Sequence, residues 1–320
     1  VYPDKVEELL FEDEGYTYFD TTAIVNRRAI RYVKTPKGLR QYNAITMLPR
    51  KASVYATDEN ESPDEKKLMH TRDGRIYKTN LAEKLLLLCV TKFLQLDSHG
   101  MGIEMEGGRP GWYDALNGLP GLFGSSMCET IEVCRHIEFL MNVIRDSKIR
   151  KLDIAEELSD LISEISKQEL KTWEGMATWN ALNDIKEEYR EVTRDGYEGR
   201  KVSCDADTIL FILDNMHSII LEGLNRAREM CDGKMPSYFA YEATIYEEDF
   251  DGKIEVKNFK PITIPLFLEG YVHLLRLEAS REEKARVYDE VRNSALFDRQ
   301  LSMYKVNESL ANASFELGRT

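Results

Sequence analysis

Asn80-Leu-Ala-Glu-Lys-Leu-Leu-Leu-Leu-Cys-Val-Thr-Lys-Phe-Leu94 is the stretch on which the fold turns. Here the apolar residues fall into a helical period, and Asn80 stands where it can cap the first turn. The same period returns over 126–146, 153–172, 175–193, 205–231, 264–279 and 281–292. Ile154, Leu158, Leu161, Ile165 and Leu170, for instance, repeat at the spacing of one helix face. The stretch at 205–223 is apolar around more of its circumference, as an inner helix would be.

Upstream the chain is mixed. Tyr16-Thr-Tyr-Phe19, Ala29-Ile-Arg-Tyr-Val33 and Asn43-Ala-Ile-Thr-Met-Leu48 are β-prone, and Thr35-Pro-Lys-Gly38 is a turn signal. Residues 57–74 are polar and read as a surface loop. Downstream, the segment from Tyr238 to Tyr246, then Asp251-Gly252, then Lys253-Ile-Glu-Val256 makes a strand, turn, strand pattern, Asp-Gly being a strong hairpin dipeptide. The expected architecture is therefore mainly α. A mixed segment over 1–78 leads into a helical domain over 79–320, whose repeated helix–loop–helix units suggest a toroid, whole or partial, with a β-hairpin inserted before the helix at about 264.

Composition narrows the function. The 320 residues carry a net charge of −13, which argues against nucleic acid as a partner because phosphate binding needs a basic footprint. The longest apolar run, Leu85 to Val90, is far too short to span a bilayer. The five cysteines, Cys89, Cys128, Cys134, Cys204 and Cys231, are odd in number and scattered. Three lie in or beside apolar helical patterns, which suits reduced thiols in a cytoplasmic protein. Val1 is not an initiator Met and Thr320 follows no closing helix, so both ends read as cut from a longer chain.

The chemistry concentrates in Ser98-His-Gly-Met-Gly-Ile-Glu-Met-Glu-Gly-Gly-Arg-Pro-Gly-Trp-Tyr-Asp-Ala-Leu-Asn-Gly-Leu-Pro-Gly-Leu-Phe-Gly124, which holds eight of the 19 glycines. Among them stand Glu104, Glu106, Arg109, Trp112, Asp114 and Asn117. Glycine lets the backbone come close to a ligand. Trp offers a flat apolar face to a sugar ring, and carboxylate, amide and guanidinium groups bond its hydroxyls. The alternative is an Ω-loop that merely packs between helices. No Gly-Lys-Ser/Thr follows, so it is not a phosphate-binding P-loop, and no strand–helix context makes it a dinucleotide fingerprint.

The string Trp112-Tyr-Asp-Ala-Leu-Asn-Gly118 resembles the Trp-Asn-Asp-Gly-Met-Asn segment of the cellobiose phosphorylase family. Trp112, Asp114 and Asn117 match; Tyr113 and Ala115 depart, and Pro110-Gly111 replaces the Gly-Asp that opens the family motif. The resemblance implies an (α/α)6 barrel and Asp114 as general acid. It implies an oligosaccharide or glucan substrate and no cofactor beyond inorganic phosphate as co-substrate. A homodimer is allowed for. Cleavage of a glycosidic bond needs a proton on the leaving oxygen and a nucleophile at the anomeric carbon. In phosphorolysis, phosphate is that nucleophile. In an inverting hydrolase, a second carboxylate about 6.5–9.5 Å from the acid activates water; Glu104 and Glu106 are the local candidates, and a base from beyond Thr320 is an equal alternative. Glu104 and Glu106 could also raise the pKa of Asp114.

Further from the loop, Arg40 and Gln41 could reach a ligand, Arg27 and Arg28 could bind an anion, and Tyr304 and Asn307 are sugar-contact candidates. Cys128-x5-Cys134-x-His136 does not share a helix face, which argues against zinc, so no metal is expected. His217 and His273 read as satisfied core or rim residues and Trp173 and Trp179 as interhelical packing, while His99 stands at the mouth of the loop.

Overall fold

The computed structural model describes residues 5–20, 23–48, 67–106, 118–277 and 280–313. After a single π-type turn at Glu8–Glu12 come β1 (Ala23–Val25), α1 (Arg28–Arg31), β2 (Val33–Thr35), β3 (Gly38–Arg40) and β4 (Ile45–Met47). The centre holds α2 (Leu81–Phe93), β5 (Ile103–Glu104), β6 (Ser125–Ser126), α3 (Met127–Asp146), β7 (Lys151–Ala155), α4 (Glu156–Ser166), α5 (Met176–Val192), β8 (Lys201–Asp205) and α6 (Ala206–Met230). The last part is β9 (Tyr238–Glu248), β10 (Ile254–Thr263), α7 (Leu268–Leu274), α8 (Arg281–Asn293), β11 (Phe297–Asp298) and β12 (Met303–Tyr304).

This is not the mainly α toroid expected from periodicity. Helix makes up 45% and strand 23% of the described residues, with several small antiparallel sheets, so the chain is mixed α/β. One cause is visible at Lys151-Leu-Asp-Ile-Ala155. Its side chains alternate between solvent and core, and it pairs with Lys201-Val-Ser-Cys-Asp205. Each strand runs straight into a helix. Ile154 therefore lies in phase with Leu158 and Leu161 although it belongs to β7.

The expected hairpin is present but is no insertion. Asp251-Gly252 turns it, with Gly252 at φ +77°, and β9 and β10 continue into a four-stranded sheet of order β10-β9-β6-β5. Arg28–Arg31 is a helical turn where Ala29–Val33 looked β-prone. The turn at Thr35–Gly38 joins β2 to β3, with Gly38 at φ +103°. Of the expected loop at 57–74, the described part folds back to bridge His70 to Ile76. Of the helix expected over 264–279, the described residues form only α7, because the chain entering it at 266–268 is instead paired in extended form with 306–308.

The core lies where α3 packs against α2 and α6. Val90, Phe93, Ile131, Ile137, Leu213 and Ile220 are fully buried there, each contributing about 1.5–3 kcal/mol. Helix α6 is not the inner helix expected, since one side of it meets solvent and leaves the apolar Phe211 65% exposed. Asn80 caps α2 as its position suggests, its side chain accepting from Glu83 N at 2.8 Å. All five cysteines are free. Among the described residues no helix is long and apolar enough to cross a membrane.

The N-terminal segment is tied in by a buried carboxylate. Glu83 accepts from Tyr18 Oη at 3.0 Å, from Tyr77 Oη at 3.0 Å and from Ala155 N at 3.1 Å. At the start of the glycine-rich region, the backbone is wedged between helices. Trp173 Nε1 donates to Ser98 O at 3.1 Å and Arg226 Nη1 to His99 O at 2.6 Å. A Cβ on Gly223 of α6 would stand 1.9 Å from Gly100 O. Gly223→Ala should therefore lower stability by about 3 kcal/mol through overpacking, read as a reduced urea midpoint.

Candidate functional site

The residues that enter the central loop segment are set by strand alternation. Leu96, Ile103 and β6 pair around a turn, and Glu104 N donates to Gln95 O at 2.7 Å. Met105 N then donates to Gly124 O at 2.7 Å, which keeps the chain extended. Glu104 and Glu106 consequently share one face, two residues apart. That face meets α5, where Trp179, Asn183, Lys186 and Arg190 form a stripe at the i, i+4, i+7, i+11 spacing.

Trp179 Nε1 donates to Glu104 Oε1 at 2.7 Å, and Lys186 Nζ lies 4.0 Å from Glu104 Oε2. Arg190 Nη2 pairs with Glu106 Oε1. Arg31 of α1 adds a third cation, fixed by Asn26 O at 2.8 Å and by Gln41 Oε1 at 3.4 Å. The cluster is water-poor: Lys186 and Arg31 are buried, and the side chains of Glu104 and Glu106 are 16% and 10% exposed.

Burial pushes the Glu104 carboxyl up, against the pull of Lys186 and Arg31. Burial likewise pulls the Lys186 ammonium down to about 7, against the field of Glu104. At Glu106, burial would raise the carboxyl, but Arg190 and Lys186 outweigh it and hold it at about 2. Two carboxylates, Glu104 and Glu106, face three cations, Lys186, Arg190 and Arg31, so the charges of the cluster are largely compensated within it. Asn183 Oδ1 and Arg190 Nη1 are buried without a hydrogen-bond partner among the described residues.

Of the residues singled out from sequence, Glu104, Glu106 and Gln41 come together. Gln41 clasps the outgoing end of the loop, donating from N to Gly121 O at 3.1 Å and from Nε2 to Pro120 O at 3.1 Å. Arg40 bonds Leu39 O on β3 at 2.8 Å. Tyr304 lies on β12, its ring against Tyr288 of α8 and Phe297 of β11. Asn307 bridges to Phe267. Asp114, Arg109, Trp112 and Asn117 lie outside the described residues.

Arg28 offers no anion site, because Asn180, Asp184 and Glu187 hold its guanidinium. Arg27 pairs with Glu188 at 3.5 Å. Trp179, expected to pack between helices, lies instead between the helical turn α1 and strand β10, with Arg28 over its ring at 5.2 Å and Phe259 edge-on at 5.6 Å. Its bond to Glu104 makes it part of the site as well. It also lines a groove of about 610 Å³ shared with Arg27, Arg28, Tyr32 and Val256. His99 stacks on Tyr241 with ring centres 5.5 Å apart, and burial lowers its pKa.

Lys186 and Arg190 were missed from sequence. The signal was there, as two cations and Asn183 placed between apolar positions on the inner face of α5, but nothing local says that a carboxylate strand covers them. No family model matches this chain, and no curated protein matches it.

Two stability tests follow from these charges. The Glu106 carboxyl is held below its ordinary value of 4.5 at about 2, so it stabilises the fold above pH 4.5 by about 3 kcal/mol. That contribution should disappear as pH falls from 4.5 towards 2, and Glu106→Gln should flatten this limb of the stability profile from urea titrations. Lys186→Met leaves Glu104 buried without its cation and should cost about 3 kcal/mol. The double variant with Glu104→Gln should recover most of that loss, and no recovery would mean that the two side chains are not coupled.

Proposed function

We propose that this chain is a cytoplasmic glycoside-processing enzyme that cleaves a β-linked glucan or disaccharide by inverting phosphorolysis, with Asp114 as general acid. The proposal rests on Trp112, Asp114 and Asn117 in their cellobiose phosphorylase-like spacing. The observation that carries it further is the ionic cluster at the entrance to that segment. Glu106, the last described residue before it, is paired with Arg190, and Lys186 and Arg31 lie close by.

In the proposed reaction Asp114 donates its proton to the glycosidic oxygen as the bond to the anomeric carbon breaks. A phosphate oxygen attacks that carbon from the opposite face. The products are a sugar 1-phosphate of inverted configuration and a shortened acceptor bearing the proton, and Asp114 regains a proton from the phosphate. Trp112 supports a sugar ring, and Arg109 and Asn117 bond its hydroxyls. Lys186, Arg190 and Arg31 are the cations of this cluster, and in this reading their field attracts the phosphate dianion.

Hydrolysis needs a carboxylate free to activate water. Of the two local candidates for that base, Glu104 is bonded by Trp179 and Glu106 is engaged by Arg190, so neither is free for the role. This favours phosphate over water as the nucleophile.

The test is release of sugar 1-phosphate from cello-oligosaccharides in the presence of phosphate. Asp114→Asn should reduce the rate by about 10²–10⁴-fold, the contribution of a general acid, with the fold intact by circular dichroism. Equal turnover in phosphate-free buffer would instead identify a hydrolase, and an unchanged rate in the variant would remove Asp114 from the role.

A further inference from the structure

A second cluster lies where α3 meets α7. Cys128, in the first turn of α3, faces Glu269 and His273, which are four residues apart on one side of α7. One ligand atom from each, the thiol sulfur, a carboxylate oxygen and a ring nitrogen, lie within 4.8 Å of one another. His273 Nε2 is 3.9 Å from Glu269 Oε1. Tetrahedral zinc ligands at their ordinary bond lengths stand about 3.3–3.6 Å apart, so closure needs side-chain adjustments of about 1 Å.

The surroundings orient these atoms. Glu132 Oε1 engages His273 Nδ1 at 2.5 Å, which directs the other ring nitrogen towards Glu269 and Cys128. A carboxylate on the far nitrogen of a histidine is the usual support of a metal-bound imidazole. Glu132 is itself held by Arg135 at 2.5 Å and by Arg276 at 3.6 Å. Tyr238 Oη donates to the second oxygen of Glu269. Each of the two polar ligands thus has an outer partner. The thiol of Cys128 has a weak contact with Ser237 O at 4.0 Å, so it gives up little to reach an ion.

The cluster opens on a cavity of about 310 Å³ that Cys128, Glu269 and His273 line together with Lys92, Glu129 and His136. We infer that Cys128, Glu269 and His273 form a zinc-binding site with a fourth coordination position facing this cavity. One sulfur, one imidazole and one carboxylate is a borderline-soft donor set that suits Zn²⁺ better than Mg²⁺ or Ca²⁺. Three protein ligands with an open position is the form that leaves room for water or a small anionic ligand. The spacing Cys128-x5-Cys134-x-His136 hid the site, because two of its ligands come from α7 and neither Cys134 nor His136 is among them.

A similar group, Cys134, Glu138 and His217, lies further along α3 and serves as the internal control. There His217 Nε2 already bonds the would-be ligand Glu138 at 2.9 Å. That bond consumes a coordinating nitrogen.

The test uses the reduced 320-residue chain, freed of metal by chelator dialysis and titrated with Co²⁺ as a spectroscopic stand-in for Zn²⁺. One equivalent should bind, giving a thiolate-to-cobalt charge-transfer band and intense visible bands of tetrahedral type, and one equivalent of Zn²⁺ should bleach them. Cys128→Ser and His273→Gln should abolish the charge-transfer band. Cys134→Ser and His217→Gln should leave it unchanged, and Glu132→Gln should weaken binding roughly 10–100-fold. Absence of the band in the wild type, or its survival in Cys128→Ser, overturns the assignment. Should the variants misfold, X-ray absorption on the zinc-loaded wild type decides. One sulfur per zinc is required, and none or two refutes the site.

Discussion

The carboxylate of Asp97 is the constraint on which the geometry of the loop and its cluster depends. It is 1% exposed and accepts four hydrogen bonds. Oδ1 takes the amides of His99 and Met101, both at 3.0 Å, and Oδ2 takes Gly102 N and Ser125 Oγ, both at 2.7 Å. A buried carboxylate is tolerable only when its oxygens are so satisfied. The same bonds close the turn at 97–102 and lock it to β6. A Cβ on Gly102 would fall 2.4 Å from Ser125 Oγ, so the turn admits only glycine there. From this anchor β5 leaves with one register, and Glu104 and Glu106 are aimed at α5.

Glu83 does a comparable job at the other end of the molecule. Tyr18 and Tyr77 come from the N-terminal segment and Ala155 N from the end of β7, and all three donate to one carboxylate that is fully buried. Among the described residues the sheets are small, most with two short strands, and the four-stranded one carries a second, smaller apolar cluster of Met105, Leu119, Leu122, Tyr238, Ala240, Ile264 and Phe267. The apolar core around α2, α3 and α6 supplies the bulk of the stability, while the buried carboxylates specify how the peripheral pieces attach. Because an unpaired buried charge is costly, each attachment has essentially one arrangement.

Features that rest on local chemistry were readable from the chain. Asn80 caps α2, and Asp251-Gly252 turns a hairpin. What failed was the inference from period to architecture. A five-residue strand fused to an amphipathic helix keeps its apolar residues in helical phase, so β7 was indistinguishable from the start of α4. Strands β5 and β6 are two residues each and acquire their identity from pairing with each other and with β9. The prominence of Glu104 and Glu106 was visible in the loop, but their partners Lys186 and Arg190 lie about 80 residues away, in a helix that looks ordinary by itself.

By itself the sequence determined the helices α2, α3, α5, α6 and α8, the Asn80 cap of α2, the hairpin at Asp251-Gly252, and the glycine-rich stretch in which acids, Trp and Arg collect. These follow from backbone preference and from hydrogen bonds within a few residues. The tertiary structure alone decided that the fold is mixed α/β, that Glu104 and Glu106 face a cationic stripe on α5, and that Cys128 meets Glu269 and His273. These depend on which distant surfaces share a buried, low-dielectric space, where charges must find partners, and no local pattern encodes that pairing.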